Sequence, residues 1–126
     1  MDIDYSYDFW YQPRQNMMVS TEWAAPNTFL PGFELDDVGK GKYGSKVHFW
    51  DLDKREVKKT FDLGADGLIP LETRMLHNPN STHGFVGATL SSNIFHYHKD
   101  RGDPEIKKVI DVASVSYTHL TLPTKA

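Results

Sequence analysis

Apolar and polar residues alternate over short stretches along most of the chain, a pattern typical of β-strands. The first pair of such stretches covers Asp8 to Gln12 and Met17 to Trp23. The residues between them, Pro13 to Asn16, favour a chain reversal, because proline fixes φ and asparagine tolerates a tight return. The pattern therefore predicts a β-hairpin, which ends before Pro26 because proline cannot donate to the strand ladder.

The hairpin pattern recurs later in the chain. The segment from Tyr7 to Thr21 (YDFWYQPRQNMMVST) aligns with the segment from Glu72 to Thr89 (ETRMLHNPNSTHGFVGAT). Pro13 then lies over Pro79, and each copy has an apolar strand, a turn with proline and asparagine, and a second apolar strand. A repeated hairpin indicates a repeat architecture.

The alignment continues into the strands that follow each hairpin. Val47 to Asp51 lies over Ile94 to His98, and Val57 to Leu63 lies over Ile106 to Val112. The two copies are about 47 residues apart in these strands, which falls within the period of β-propeller blades. We therefore predict two copies of one four-stranded antiparallel meander.

This repeat predicts an all-β fold, a fragment of a WD-like β-propeller in residues 1–112, with one blade at about 7–63 and a second at about 68–112. A blade presents apolar faces to both neighbours, so two blades are expected to be part of a larger closed ring. The ending Trp50-Asp51 resembles the strand end of WD-type blades. Asn27 to Ser45, rich in glycine, is interpreted as a loop insertion, with one helical turn at Asp36 to Gly39.

The last residues depart from the strand pattern. Residues 113–126 are predicted to be a non-native or disordered tail, because SYTHLTLPT resembles the conceptual translation of sequencing-adapter read-through. We therefore base no prediction of the fold or of a site on Val115 to Ala126, which include His119.

Composition narrows the function classes. The 126 residues carry a net charge of −3 and no cysteine, and 13% of them are aromatic. Mixed charges without a basic stripe argue against nucleic-acid binding. Neither a long apolar run nor a signal-peptide pattern is present, so we expect no transmembrane segment. The lack of cysteine excludes a disulfide framework within the chain and fits a cytoplasmic protein.

Two polar residues at strand ends are candidate site residues. In a propeller, the inner-strand ends and adjoining loops face the axial channel, where polar groups from several blades can converge. His77, in the turn after Leu71 to Leu76, and Glu22 are predicted to face this channel. The alternative is that each side chain satisfies backbone groups in a turn.

Four other histidines offer weaker signals. His96 and His98 share one face of a strand and could form two arms of a metal site, but two ligands do not make a site, so we favour solvent-facing side chains. His48 stands near the matching strand position of the first blade, and His83 is expected to be exposed in a turn.

Five motifs together closely resemble the selenium-binding protein family, also called methanethiol oxidases. They are DFWYQPR (Asp8 to Arg14), MVSTEWAAPN (Met18 to Asn27), GLIPLE (Gly67 to Glu72), LHNP (Leu76 to Pro79) and GFVGATLSS (Gly84 to Ser92). The resemblance extends over about Tyr7 to Val112 and implies a seven-bladed propeller of several hundred residues, of which this chain is an internal portion.

The resemblance also implies an activity. Family enzymes oxidise methanethiol with oxygen and water to formaldehyde, hydrogen sulfide and hydrogen peroxide, and copper is implicated. Within this chain His77 alone matches a family histidine motif, so it is the one metal ligand that the resemblance suggests. The resemblance assigns no role to His96 or His98, and the family's cysteine segment for selenium binding lies outside this chain.

Two hypotheses of different classes follow. In the first, the chain is a fragment of a copper-dependent oxidase of small thiols and is inactive by itself. In the second, it is part of a propeller scaffold that binds selenium species or protein partners without catalysis. The fold does not separate them, because propellers host both kinds of function.

Overall fold

The computed structural model describes residues 5–24, 44–100 and 103–112 of the chain. Its first sheet contains the strands β1 (Ser6–Gln12), β2 (Met17–Glu22), β3 (Lys46–Asp51) and β4 (Glu56–Asp62). The second sheet contains β5 (Pro70–Met75), β6 (Gly84–Ala88), β7 (Asn93–Asp100) and β8 (Asp103–Asp111). The described residues are therefore almost entirely β-structure.

Both sheets are antiparallel meanders in sequence order, β1-β2-β3-β4 and β5-β6-β7-β8. The third strands, β3 and β7, occupy equivalent places, as the sequence repeat predicts. Contacts between β1 and β5 set the first strands of the two sheets side by side, as inner strands of adjacent blades should be. The predicted class, an all-β propeller fragment with two four-stranded blades, is confirmed. The exact domain boundaries and the number of blades in the ring stay predictions.

The turn that opens the first sheet has the predicted chemistry. Pro13–Gln15 forms a short 3-10 turn, and the N–H of Asn16 donates to the main-chain oxygen of Pro13 over 3.0 Å. Asn16 adopts φ of 51°, in the left-handed region that asparagine tolerates better than most residues. Its side chain also donates to Asp51 Oδ1 over 2.9 Å, which ties this turn to the end of β3.

The core lies between the two sheets. It is formed by side chains that alternate inward along the strands: Met17, Val19, Val47 and Phe49 from the first sheet, and Met75, Val86 and Tyr97 from the second. The rings of Phe49 and Tyr97 meet edge to face across this interface, with centroids 5.3 Å apart. Each sheet therefore buries one apolar face against the other, which is how propeller blades pack.

Hydrogen bonds also join the sheets near the first strands. The Thr73 N–H donates to Asp8 Oδ2 over 3.0 Å, and Gln12 Nε2 donates to the main-chain oxygen of Asn78 over 3.3 Å. The ammonium of Lys99 donates to the main-chain oxygen of Gln15. These polar links fix the offset between the sheets, which apolar packing alone leaves less defined.

The face of the second sheet that points away from the first is open. It presents Phe85, Ile94 and Ile110, which are 42%, 36% and 47% exposed. The equivalent face of the first sheet carries Val47 and Phe49, at most 2% exposed, because the second sheet covers it.

The loop insertion and helical turn predicted between Asn27 and Ser45 fall almost wholly outside the described residues, as does the predicted tail at 113–126. Helices within the described ranges are two 3-10 turns of three and four residues, far shorter than a membrane-crossing helix requires.

Candidate functional site

His77 lies just beyond the end of β5, at Met75, and its side chain is exposed. Its neighbour Leu76 donates its N–H to the main-chain oxygen of His83 over 3.0 Å, which closes the loop between β5 and β6. Within the described residues, the cluster of three metal-ligating side chains does not include His77. His77 is therefore accessible but contributes one ligand only, and its role as a metal ligand stays a prediction.

Glu22 lies at the end of β2 and is 3% exposed. In the strand register it pairs with Ser6, at the start of β1. Strand β5 runs in the same direction as β1, since Asp8 bonds to Thr73 and Gln12 to Asn78, and His77 follows the far end of β5. The two candidate residues therefore lie at opposite ends of the strands and do not converge. Glu22 belongs to the second strand of its sheet, and its predicted orientation to an axial channel stays a prediction.

The carboxylate of Glu22 is bound to His48, which is 1% exposed. His48 Nε2 lies 2.7 Å from Glu22 Oε2, and Nδ1 lies 2.8 Å from the hydroxyl of Thr60. With its proton on Nε2, the imidazole donates to Glu22 and accepts from Thr60, so both ring nitrogens are satisfied. Gly44 packs against Glu22, where an added Cβ would lie 2.6 Å from Glu22 Cβ. This arrangement is a satisfied polar link across three strands inside the first sheet.

Three histidines of the second sheet come together on its open face. The potential ligand atoms of His83, His96 and His98 all lie within 4.8 Å of one another. The rings stack nearly parallel, with centroids 5.1 Å apart for His83 and His96, 5.2 Å for His83 and His98, and 5.6 Å for His96 and His98. His83 Nδ1 and His96 Nε2 share a hydrogen bond of 2.9 Å.

Strand register explains how this histidine cluster forms. His83 directly precedes Gly84, whose register partner is Tyr97, so His83 stands beside His98 across the strand pair. His96 follows on the same face two residues from His98, as the pleat requires. The loop between β5 and β6 ends at His83, and it therefore adds the third imidazole to the pair on β7.

The charges around the cluster are mixed. His98 Nε2 lies 3.2 Å from Glu105 Oε2, its register partner on β8. His96 is opposite Lys107, and burial, followed by repulsion from His83, His98 and Lys107, lowers the pKa of His96 from its usual value of 6.5. A lowered pKa keeps this imidazole neutral near pH 7, the state in which its nitrogen has a lone pair to offer.

The interpretation of His96 and His98 as solvent-facing side chains was incomplete. Both are half-buried, and the missing third imidazole is His83, which sequence reasoning placed alone in an exposed turn. The strand register is the feature that predicts this cluster. Because Gly84 pairs with Tyr97, His83 lies next to His98. Imidazoles within a few ångströms of one another can bind a transition-metal ion or pass a proton between nitrogens.

The paired meanders, with inner strands in contact and one face of each sheet buried, define a portion of a β-propeller. The family model described as 56kDa selenium binding protein (SBP56) matches residues 1–125. The chain belongs to this selenium-binding protein family.

Relatives in the family carry two kinds of name. The chain is 52% identical over 93% of its length to a methanethiol oxidase of Rattus norvegicus, and 53% identical over 84% to one of Homo sapiens. It is also 52% identical over 93% of its length to selenium-binding protein 2 of Mus musculus. These matches cover 25%, 22% and 25% of the relatives, so the chain spans about a quarter of their length.

A solved structure has the same fold. The X-ray structure of a hypothetical selenium-binding protein from Sulfolobus tokodaii matches 85% of this chain, with a TM-score of 0.76 and 36% sequence identity. The match covers 24% of that chain. The two-sheet unit described here therefore corresponds to one part of a longer structure.

Proposed function

We propose that the full-length protein containing this chain oxidises methanethiol with oxygen and water to formaldehyde, hydrogen sulfide and hydrogen peroxide. The observation that carries this proposal is the similarity to methanethiol oxidases, 49% identity over 94% of the chain for one of Xenopus laevis and 53% over 84% for the human protein. Identity at this level over strands, turns and loops supports a shared activity more strongly than a shared fold does.

The proposed reaction is balanced without a further reductant or oxidant. The methyl carbon of the thiol loses two electrons, its bond to sulfur breaks, and sulfur leaves as hydrogen sulfide. Water supplies the carbonyl oxygen of formaldehyde. Oxygen accepts the two electrons and two protons and becomes hydrogen peroxide.

The family resemblance implies copper, which would supply one-electron exchange between a bound thiolate and oxygen. The described residues do not fit that site by themselves. His77, the one histidine here in a family motif, is exposed and is absent from the described three-ligand cluster. A copper ion needs further ligands. We therefore propose that His77 contributes one ligand, that the others come from segments beyond this chain, and that the chain alone is inactive.

A second candidate function is a non-catalytic propeller scaffold that binds selenium species or protein partners. It is favoured by the 52% identity to a relative named selenium-binding protein 2. Since this chain has no cysteine, a selenium-binding thiol must also come from another part of the protein. The expected cytoplasmic location, the small-thiol substrate and the absence of a nucleic-acid partner stay predictions.

The test is a product balance on the copper-loaded full-length protein. Methanethiol and oxygen should be consumed together, and formaldehyde, hydrogen sulfide and hydrogen peroxide should appear in equal amounts. The metal-free protein serves as the control. Binding of selenite without any thiol consumption, at full copper loading, would favour the scaffold and contradict the oxidase.

A further inference from the structure

We propose that His83, His96 and His98 form a binding site for a divalent transition-metal ion such as Zn²⁺, distinct from the proposed copper chemistry. Three imidazoles with an open fourth position are a known ligand set for zinc. The site lies on the open face of the second sheet and is built by β7 and the residue before β6.

Distances are close to those that a bound ion requires. Zinc–nitrogen bonds of about 2.0 Å in a tetrahedron set the ligand nitrogens about 3.3 Å apart. The three potential ligand atoms already lie within 4.8 Å of one another, and one pair of nitrogens is 2.9 Å apart. Since the rings are stacked within 13° to 22° of parallel, their lone pairs do not yet converge. Rotation of the rings about their Cβ–Cγ bonds is therefore the movement that binding demands.

The backbone that carries the three rings is held in place. Gly84 and Tyr97 pair in the strand ladder, and Tyr97 is fully buried in the core between the sheets. Two of the three ligands, His96 and His98, therefore lie on strand β7, and the third, His83, is the last residue of the loop before β6. Ligands on paired strands need little backbone ordering before they bind.

Glu105 supplies the support that metal-bound histidines usually have. Its Oε2 lies 3.2 Å from His98 Nε2, and with the proton on Nε2 the lone pair of His98 Nδ1 is left to bind the ion. Its negative charge also offsets the repulsion that Lys107, opposite His96, exerts on a cation. His98 and Glu105 together resemble the carboxylate–histidine–metal arrangement of known zinc sites.

Room for a fourth ligand is present beside the rings. A groove of about 350 Å³ is lined by His96, His98, Glu105, Ile106 and Lys107. The groove is large enough to hold a water molecule or a small anionic or thiol ligand beside the ion, which would complete a tetrahedron.

The cluster is a feature of this sheet rather than of the blade pattern. In the repeat alignment, His96 takes the place of Phe49, which is 2% exposed and packs against the second sheet. His98 takes the place of Asp51. The first sheet therefore has no equivalent cluster. At the position of Phe49, which packs between the sheets, the second sheet has the imidazole of His96.

The experiment uses the full-length protein, so that whatever covers this face is present. The protein is freed of metal and titrated with Zn²⁺ against a chromophoric chelator, and Co²⁺ spectra report tetrahedral nitrogen coordination. Replacement of His83, His96 or His98 by alanine should each weaken one equivalent of Zn²⁺ binding by about 100-fold or more, and Glu105→Gln should weaken it by about 10-fold. Glu56→Gln, which changes an exposed carboxylate on β4, is the matched control for Glu105→Gln and should leave this equivalent unchanged.

A second measurement guards against misfolded variants. Zn²⁺ should raise the melting temperature of the wild-type protein and of Glu105→Gln, whose altered side chain is 70% exposed, with a smaller rise in the variant. Unchanged Zn²⁺ affinity in folded His96→Ala and His98→Ala proteins would overturn the site and leave the cluster as simple ring stacking. If the full-length protein does not oxidise methanethiol, the test of the zinc site still holds, because Zn²⁺ binding is measured directly.

Discussion

Thr21 in the first sheet donates its hydroxyl hydrogen to the main-chain oxygen of Leu71 in the second, over 2.7 Å. The same hydroxyl oxygen accepts the N–H of Asp8 over 3.3 Å, and Thr21 is fully buried. One side chain therefore satisfies two backbone groups at the junction of the sheets, where neither strand ladder reaches them.

Thr21→Val keeps the shape of the side chain and removes this hydroxyl. The Asp8 N–H and the Leu71 oxygen then lose a partner, and we expect the free energy of unfolding to fall by about 2 kcal/mol. Urea unfolding of the full-length protein measures the change. Thr82→Val, in the loop before β6, is the control and should change stability by less than about 0.5 kcal/mol.

Glu22 and His48 should behave as a coupled pair. Glu22→Leu leaves a buried ring nitrogen of His48 without its acceptor, and we expect a loss of about 3 kcal/mol or more. Adding His48→Phe should restore much of that loss, because apolar residues often replace a buried polar pair at no net cost. A double-mutant cycle from denaturant unfolding gives the coupling energy, and simple additivity of the two losses would contradict it.

Most of the fold was predictable from the sequence. The Pro13 to Asn16 turn, the alternation of apolar residues and the repeat between Val47 to Asp51 and Ile94 to His98 were sufficient to predict eight strands in two meanders. These signals are local, and a period-two pattern leaves few alternatives once one face is buried. The observed strands β3 and β7 confirm this alignment.

The site was less predictable, because its geometry depends on pairing between strands. His83 and His98 are fifteen positions apart in sequence, and they meet only through the register of Gly84 with Tyr97. Glu22 illustrates the same difficulty. Nothing in its local sequence indicates that His48, on the next strand, supplies its hydrogen bond within the buried interior.

Gly84 is required for the packing of Tyr97. A Cβ at this position would lie 2.4 Å from the ring carbon and the hydroxyl oxygen of Tyr97, and 2.7 Å from the Arg74 main-chain oxygen. Gly84→Ala should therefore displace the ring, weaken its 2.9 Å hydrogen bond to Thr73, and lower stability by about 1–3 kcal/mol.

Gly87, on the same strand, is the matched control for Gly84. An added Cβ there meets no atom within 4 Å. Gly87→Ala should be neutral or slightly stabilising, because alanine restricts the unfolded chain more than glycine does. Equal effects of the two substitutions in thermal unfolding would show that the contact with Tyr97 is not the cause.

Asp62 should contribute a pH-dependent part of the stability. Hydrogen bonds from the Ser45 hydroxyl and then from the Gly64 N–H lower its pKa below the usual 3.8. Because the folded-state pKa is depressed, the contribution is present above pH 3.8 and is lost as the pH falls through the folded-state pKa. The stability difference between wild type and Asp62→Asn should therefore shrink below that pH, as measured by denaturant unfolding at each pH. A difference that stays constant would refute this assignment.

His77 and His96 should give opposite results with the two metals. His77→Ala in the full-length protein should lower bound copper and methanethiol oxidation while the fold persists, because an exposed side chain contributes little packing. His96→Ala should instead lower Zn²⁺ affinity. Metal analysis and the product assay on both variants check this. Full copper loading and full activity in His77→Ala would place every copper ligand beyond this chain.

The exchange of Phe49 for His96 at equivalent strand positions also affects assembly. A chain made of similar blades is prone to join the wrong pair of faces while it folds, since repeat proteins misassemble through surfaces that resemble one another. An aromatic face on the first sheet and an imidazole face on the second are chemically different, so a partner suited to one is poorly suited to the other. The order of blades around the ring is then specified twice, by the order of the blades along the chain and by the chemistry of the faces that pack together.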